Sequence, residues 1–350
     1  MSANKLTIYN KEVKKLLDNR KKKVLQAIVE QYVNTAEPVS SNALTKNYGL
    51  DCSSATIRNE MAELEKSGYL DKTHTSSGRV PSEKGYRYYV DELLNENDIS
   101  IEEVKYISDK LETKVNEIED LTKITANTIS EITHYTTVTI GPKTEEQIIK
   151  EIKFVLLGSR MILAVIMTDT GMVKETIIKF DEDVTEKQVE TINYMFNNKL
   201  KGKPIETINQ PLEDYLYNEM KGMVGVIKPI ITQIKKVLFE ENEIHLQGAR
   251  KELDLPEFNS LQVAKNFMNI LDEKELIADM LNSGFAEDIN VYIGGEDEKE
   301  QLKDFSVVTF KHKIGNKDMG TIGIIGPKRM DYSKVISVMK YISKKLNEEK

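Results

Sequence analysis

The feature that most constrains the fold is the run from Ser53 to Pro81, which predicts one amphipathic helix and then two short strands. Ser53 is a favourable helix cap and Gly68 a favourable helix end, so the helix extends to about Ser67. Its aliphatic face and its small, polar face fall on opposite sides of a helical wheel: Ile57, Met61 and Leu64 against Ala55, Arg58, Asn59 and Ala62. The strands span 69–73 and 78–80, and Pro81 stops the second one.

Further helices flank this segment. Apolar residues recur at helical spacing from Arg20 to about Thr35, and Ser40 or Ser41 can cap a short helix that Gly49 ends. After the strands, a fourth helix is expected from Ser82 to about Asn95. Three helices followed by a strand hairpin is the order of elements in a winged helix-turn-helix. We therefore predict this fold for the first quarter of the chain.

A winged helix-turn-helix that binds DNA places its third helix in the major groove, where the first turns face base edges. Arginine can bond guanine through two hydrogen bonds and asparagine can bond adenine likewise, so Arg58 and Asn59, with Ser54, are candidates for base readout. Arg79, in the wing, is suited to a phosphate or to the minor groove. The candidate DNA-binding residues are Ser53, Ser54, Ala55, Thr56, Arg58, Asn59, His74, Thr75, Ser77, Gly78, Arg79, Lys84 and Arg87. The alternative is a module that binds protein, with these side chains forming a solvated face.

The charge distribution bears on the same question. The 350 residues carry a net charge of -8, which by itself argues against a nucleic-acid partner. Residues 1–90, however, hold 15 Lys and Arg against 10 Asp and Glu, or +5, whereas the remainder holds 34 against 47, or -13. Four of the seven arginines lie in the basic part. A basic head on an acidic body is expected when one part of the chain meets phosphates and the other faces away from them.

The rest of the chain mixes helices and strands, which predicts one or two α+β domains after a linker at 95–98. Apolar residues recur every three or four positions from Ile99 to about Tyr135 and predict one long helix, either packed on a domain or forming a coiled-coil seam. A later helix from Leu212 to Glu241 could break at Pro229. The pair Gly294-Gly295, which three acidic residues follow, predicts a solvated turn.

No pattern for catalysis or cofactor binding is present in the sequence. The single cysteine, Cys52, allows no disulfide within the chain, and the four histidines have no partners at metal-ligand spacing. Nucleophile elbows, phosphate-binding loops and dinucleotide fingerprints are absent, as are signal peptides and stretches that could span a bilayer. We therefore expect a cytoplasmic protein that is not an enzyme, with no metal site, no cofactor and no membrane partner.

Two groups of motifs recur in a known family. The first group lies in the head and comprises Glu37-Pro38-Val39-Ser40-Ser41, Ser53-Ser54-Ala55-Thr56-Ile57-Arg58-Asn59-Glu60-Met61, His74-Thr75-Ser76-Ser77-Gly78-Arg79-Val80-Pro81 and Gly85-Tyr86-Arg87-Tyr88-Tyr89-Val90-Asp91. The second comprises Thr168-Asp169-Thr170-Gly171 and the run from Gly320 to Tyr332, in which Lys328 is a conservative departure. On these motifs the chain resembles the HrcA family of heat-inducible transcription repressors over nearly its whole length.

The resemblance implies a repressor that binds, as a homodimer, an inverted-repeat operator in double-stranded DNA upstream of chaperone operons. It implies release on heat stress and a chaperonin that modulates activity. The implied fold is multidomain α+β, with a winged-helix domain at 1–97, a GAF-like domain formed by 98–146 and 241–350, and a dimerisation domain inserted at 147–240.

Two other functions remain open at this point. One is a small-molecule-responsive regulator with a ligand in a GAF-like pocket, which a melting shift with a metabolite would favour. The other is an enzyme built on the α+β portion, which turnover by residues 98–350 would reveal.

Overall fold

The computed structural model describes residues 17–48, 50, 52–73, 78–94, 99–111, 118–141, 147–239, 244–282, 289–297, 300–314 and 317–348, which form a multidomain α+β chain. Three parts are named below. The head is residues 17–94, the outer unit is residues 147–239, and the central unit is the remainder.

The head has the predicted order of elements, and its bounds agree with the predicted caps. The elements are α1 (Asn19–Thr35), α2 (Ser41–Asn47), α3 (Ser54–Lys66), β1 (Leu70–Lys72), β2 (Arg79–Pro81) and α4 (Glu83–Tyr88), which continues as a π-helical turn over Tyr89–Leu93. Ser40, Ser53 and Ser82 cap α2, α3 and α4, because each hydroxyl accepts a hydrogen bond from a backbone N–H of the first turn. The two strands pair antiparallel, with Asp71 opposite Val80.

The single long helix predicted from Ile99 to Tyr135 is wrong. The chain forms two helices there, α5 (Ile101–Leu111) and α6 (Ile118–Thr133), which pack against each other. Helical spacing is a local property that both arrangements satisfy. The choice between them depends on burial, since Ile107 and Leu111 lie in the same apolar cluster as Ile129.

The central unit is built on a five-stranded antiparallel sheet in the order β7-β3-β10-β9-β8. These strands are β3 (Thr136–Ile140), β7 (Ile244–Gln247), β8 (Ile289–Ile293), β9 (Phe305–Ile314) and β10 (Lys317–Pro327). Alternate residues face opposite sides, so that Ile322 and Ile324 join one apolar cluster and Ile325 the other. Helices cover both faces: α5, α6 and α13 (Tyr332–Glu348) on one side, and α11 (Leu261–Asp272) and α12 (Lys274–Asn282) on the other. The short α10 (Ala249–Glu252) follows β7.

The outer unit has an apolar cluster of its own, whose members all lie between Ile149 and Leu238. Its strands β4 (Ile149–Gly158), β5 (Met161–Thr168) and β6 (Val173–Lys179) form an antiparallel sheet in chain order. Helices α7 (Glu186–Leu200) and α9 (Val224–Phe239) pack on one face, and α8 (Gln210–Glu219) packs on α9. Thr185 and Gln188 form a capping box at the start of α7.

The predicted break at Pro229 is wrong. Pro229 lies inside α9, and the helix is interrupted earlier, at the turn Lys221–Met223. A proline inside a helix costs about 3 kcal/mol. Ile227, Ile230 and Ile231 on either side of it are buried, and burying such a side chain stabilises by about 1.5–3 kcal/mol each. Packing therefore outweighs the lost backbone hydrogen bond.

Candidate nucleic-acid interface

Helix α3 presents to solvent the small, polar face that the sequence predicts. Ala55, Arg58, Asn59 and Ala62 are exposed, whereas Ile57, Met61 and Leu64 are buried against the rest of the head. Within the part of the chain that the structure describes, the side chains of Arg58 and Asn59 make no hydrogen bond or ion pair to another residue. Their donors and acceptors are available to a partner.

The serines at the start of α3 have partners within the head. Ser53 Oγ accepts from Thr56 N at 3.2 Å and lies 3.0 Å from Thr56 Oγ1. Ser54 Oγ donates to Asn42 Oδ1 at 2.6 Å and lies 3.0 Å from Ser41 Oγ. Ser53 and Thr56 therefore cap the helix, and Ser54 fixes the angle between α2 and α3.

Two of the three acidic residues of α3, Glu60 and Glu63, are turned towards α1 and paired with basic residues there. Lys21 Nζ lies 2.9 Å from Glu63 Oε2 and 3.3 Å from Glu60 Oε2, and Arg20 also reaches Glu60. The carboxylates of Glu63, Asp18 and Glu60 raise the pKa of Lys21 well above its ordinary value. Glu60 and Glu63, the first two acidic residues after Arg58 on α3, are therefore both paired with basic residues of α1.

The wing strand β2 is held on the head by backbone and side-chain contacts. Arg79 exchanges two backbone hydrogen bonds of 2.9 Å with Val39, and its Nε donates to Glu65 Oε2 at 2.6 Å. Gly78 packs so closely on Pro38 that a Cβ there would lie 2.8 Å from it. Three other predicted wing residues, His74, Thr75 and Ser77, lie outside the described residues.

The two basic residues predicted beyond the wing point elsewhere. Lys84 Nζ donates to Ser67 O at 3.0 Å and lies 4.4 Å from the centre of the Tyr69 ring. Arg87 is bound by Asp91, by Glu296 and by the carbonyl of Val291. The structure therefore directs Arg87 to the central unit, whereas Arg58 and Asn59 lie on α3 and Arg79 lies on β2, paired with Glu65 of α3.

The turn expected at Gly294-Gly295 is present, and it is exposed at Gly295 but buried at Gly294. These residues form a helical turn with Glu296, which accepts from Ile293 N at 2.9 Å and pairs with Arg87. Burial raises the pKa of Glu296, and the positive charge of Arg87 opposes that shift. Glu296 is a contact residue between the central unit and the head.

The sequence analysis did not predict one exposed residue of this surface, Asn42. Asn42 is exposed at the start of α2 and adjoins the first turn of α3 through Ser54. The only signal for it was a polar residue in the first turn of the second helix of a predicted helix-turn-helix.

No group of three His, Cys, Asp or Glu side chains that could hold a metal ion occurs among the described residues. Over the same residues, no helix is long and apolar enough to cross a membrane.

Comparisons with known proteins decide the family. The family model described as HrcA protein C terminal domain matches residues 119–336. The heat-inducible transcription repressor HrcA of Ruminiclostridium cellulolyticum is 39% identical over 339 residues, which cover 95% of this chain and 97% of that protein. The chain belongs to the HrcA family. The HrcA repressors of Acetivibrio thermocellus and Clostridium tetani are each 37% identical over 336 residues, covering 95% of this chain and 96% and 95% of those proteins.

The HrcA family consists of transcription repressors, so the chain is a heat-inducible transcription repressor and not an enzyme. The resemblance to the HrcA family that the two groups of motifs indicate is confirmed. A solved crystal structure of a protein described only as hypothetical has a TM-score of 0.64 and 24% identity, and it covers 95% of this HrcA chain and 98% of its own. That likeness supports the overall fold.

Proposed function

We propose that this HrcA protein is a winged-helix repressor that binds, as a homodimer, an inverted-repeat operator upstream of chaperone operons and leaves it on heat stress. The observation that carries the proposal is the exposed pair Arg58 and Asn59 on α3, whose side chains bond no other described residue, in a chain of this family. The proposed site of action is the cytoplasm, which contains the DNA and whose reducing environment suits the single free cysteine, Cys52.

The proposed readout divides the head into three roles. Arg58 and Asn59 read base edges, because both side chains can make paired hydrogen bonds in the major groove. Arg79, Gly78 and the wing residues His74, Thr75 and Ser77 contact phosphate or the minor groove. Ser53, Ala55 and Thr56 bring the start of α3 close to the duplex, where a helix N-terminus favours a phosphate. We leave Ser54 and Arg87 out of the contact set because their side-chain donors are already bound within the protein. Lys84 is left out because its ammonium donates to Ser67 O and lies over the Tyr69 ring.

The proposed domain arrangement is a winged-helix domain at 1–97, a GAF-like domain from 98–146 and 241–350, and a dimerisation domain inserted at 147–240. The separate apolar cluster between Ile149 and Leu238 supports the insertion, since a domain has a core of its own. The five-stranded sheet, formed by strands from both sides of that insertion, supports a discontinuous domain.

The proposed dimer surface is the face of the outer sheet that α7 and α9 leave uncovered. Four apolar side chains on this face are open: Val155 is 41% exposed, Leu157 49%, Val173 54% and Ile177 53%. They share the face with the charged residues Lys153, Glu175 and Lys179. Val155, Leu163 and Ile177 are cross-strand neighbours in one row. An exposed apolar sheet face of this kind is typical of an interface between proteins.

The face, rather than the edge, suits this role. The outer edge of β4 is already satisfied, because Asn193 accepts from Phe154 N and donates to Phe154 O, at 2.8 and 2.9 Å. Asn197 makes the same pair of bonds to Ile152. A partner strand would have to displace these amides. A two-fold dimer formed through the face presents two α3 helices to two half-sites.

Release on heating is proposed to follow from marginal stability of the dimer, since a few kcal/mol decide the folded population of a protein of this kind. The chaperonin that the family resemblance implies would then act by restoring that population. Warming the purified protein to the stress temperature should lower operator binding in parallel with its dimer fraction, and added chaperonin should restore both. Operator binding that persists through dissociation of the dimer would contradict this account.

The proposal is tested by mapping the genomic DNA that the protein occupies in cells before and after heat shock. The expected result is enrichment of sites upstream of chaperone genes that share an inverted repeat, with loss of occupancy on heating. Fluorescence anisotropy with the recovered repeat and a scrambled duplex then gives the preference in vitro. Occupancy without a shared repeat, or at no chaperone gene, would overturn the proposal.

A further inference from the structure

Residues 326–332 end the family motif that runs from Gly320 to Tyr332. They have no role in the function proposed above, yet they lie where the central unit meets the head. Arg329 Nη1 donates to the carbonyl of Val33, near the end of α1, at 2.8 Å. Its Nε and Nη2 bond the two carboxylate oxygens of Glu257, the second at 3.1 Å. A guanidinium held by a two-pronged carboxylate contact has a fixed direction. Arg329 thereby points one donor at the head.

A second arginine makes the reciprocal contact from the head. Arg87 on α4 donates from Nη2 to the carbonyl of Val291 at 2.6 Å and from Nε and Nη2 to Glu296, both at 3.1 Å. Nη1 donates to Asp91 on its own helix at 3.0 Å. The Arg87 side chain is 22% exposed, so that these contacts are largely shielded from water. Every guanidinium nitrogen of Arg87 is engaged.

Apolar packing joins the two arginine contacts. The rings of Tyr86 on α4 and Tyr332 at the start of α13 lie 5.9 Å apart, and both side chains are buried. Tyr332 is itself held by a 2.6 Å hydrogen bond from its hydroxyl to Lys328 O. The buried residues of the head and those of the sheet face under α13 belong to one continuous cluster. The head is therefore docked on the central unit by a shared core as well as by charge.

A third contact is polar and partly exposed. Lys328 Nζ lies 3.1 Å from Glu83 Oε1, and the two side chains are 33% and 40% exposed. The same carboxylate lies against Gly294, where a Cβ would be 2.2 Å from Glu83 Oε1. A side chain at position 294 would displace the Glu83 carboxylate from this contact.

We propose that Arg87 and Arg329 are positioning residues that lock the head on the central unit and so set the half-site spacing that the dimer accepts in its operator. The proposal rests on the proposed function, because it needs a dimer that reads two half-sites. Two recognition helices on one face of B-DNA must lie about 34–36 Å apart, or a multiple of it. Heads on flexible tethers would tolerate many spacings, because the effective concentration of the second head at its half-site falls only gradually as the half-sites move apart. Docked heads tolerate few.

The test measures DNA affinity by anisotropy, with the full-length protein and the inverted repeat recovered from genomic mapping. Four duplexes are compared: the natural spacing, insertions of about half a turn and about one full turn, and a single half-site. We expect the half-turn insertion to weaken wild-type binding roughly 100-fold, to near the affinity of the single half-site. In Arg87→Met combined with Arg329→Met the same insertion should cost less than about 10-fold, with the affinity for a single half-site unchanged.

Two further proteins keep the test decisive. Arg160→Met removes an arginine paired with Asp183 in the outer unit, and it should keep the wild-type selectivity. Since the double arginine variant could lose its fold, Glu83→Lys places two lysines together at a partly exposed contact and should relax spacing selectivity. Glu83→Lys with Lys328→Glu restores opposite charges and should restore the selectivity.

The outcomes separate the two proposals. A wild-type protein that binds the inverted repeat no better than a single half-site overturns the dimeric readout, and with it the role proposed for Arg87 and Arg329. A wild-type protein that prefers the repeat but tolerates the half-turn insertion overturns the role of Arg87 and Arg329 alone. So does full spacing selectivity in folded Glu83→Lys and in the double arginine variant.

Discussion

Arg79 Nε lies 2.6 Å from Glu65 Oε2, so the second wing strand is joined to the C-terminal half of α3 by an ion pair. The pair supports the wing, but it also occupies the arginine that is proposed to meet DNA. Carboxylate and phosphate groups compete for the same guanidinium donors. We infer that a DNA phosphate takes the place of Glu65 in the complex.

The first prediction concerns this exchange. Glu65→Gln should strengthen binding to operator and random duplex alike, because it removes both the competitor and a negative charge near the backbone. Arg79→Ala should weaken both and reduce the slope of log affinity against log salt by about one. Anisotropy titrations at several salt concentrations measure the slope. An unaltered slope in Arg79→Ala would remove this residue from the phosphate contacts.

The second prediction concerns base readout. Arg58→Ala should lower the preference for operator over random duplex by about 1–3 kcal/mol, since one two-pronged contact to guanine accounts for that much discrimination. Competition gel shifts give the ratio. Arg160→Ala removes an exposed arginine from the outer unit and should leave the ratio as it is. Equal ratios for Arg58→Ala and the wild type would end the role proposed for Arg58.

The third prediction assigns Ser54 to structure rather than to readout. Ser54→Ala breaks the hydrogen bond to Asn42 and should lower the free energy of unfolding by about 1 kcal/mol without altering operator preference. Asn42→Ala breaks the same bond and should lower it similarly. Urea unfolding and competition binding measure the two effects. Relaxed preference at unchanged stability would instead return Ser54 to the base contacts.

The fourth prediction concerns the dimer. Ile177→Lys replaces an apolar side chain on the uncovered face of the outer sheet, 53% exposed, by a charged one, whose burial against a second copy would be costly. The variant should sediment as a monomer and bind the operator only as well as a single half-site. Tyr194→Lys is the matched control, since Tyr194 is 69% exposed on α7, in the helical layer. A dimeric Ile177→Lys protein would place the interface elsewhere.

The fifth prediction concerns pH. Burial raises the pKa of Glu252 from 4.5 to about 8, although hydrogen bonds from Thr136 oppose the shift. The folded state therefore holds this proton more tightly than the unfolded state. The stability that this contributes is complete below about pH 4.5 and is lost as the pH rises to about 8.

Glu252→Gln, which stays neutral, should escape that loss. Between about pH 4.5 and about pH 8, the free energy of unfolding of the variant should increase steadily relative to that of the wild type. Urea unfolding at several pH values measures this difference. Wild-type and variant curves that run parallel with pH would contradict the assignment.

Much of the head was predictable because its signals are local. The caps Ser40, Ser53 and Ser82 each act on the next three residues, and the faces of α3 follow from helical spacing alone. The strands of the central and outer units were predictable as elements for the same reason, with β7 the exception, since its sequence Ile-His-Leu-Gln holds no run of apolar side chains. The packing of α5 against α6 was not predictable, because one long helix satisfies the same spacing.

The sequence by itself determined the family, the mixed α+β class, the bounds of the head helices and the exposed Arg58 and Asn59 on α3. These are properties of neighbouring residues or of whole-chain similarity. Tertiary structure alone decided the partners of the other arginines: Arg79 with Glu65, Arg329 with Glu257, and Arg87 with Glu296, which lies 209 residues away. A guanidinium binds whichever acceptors packing brings within hydrogen-bond distance, and no spacing along the chain encodes that meeting.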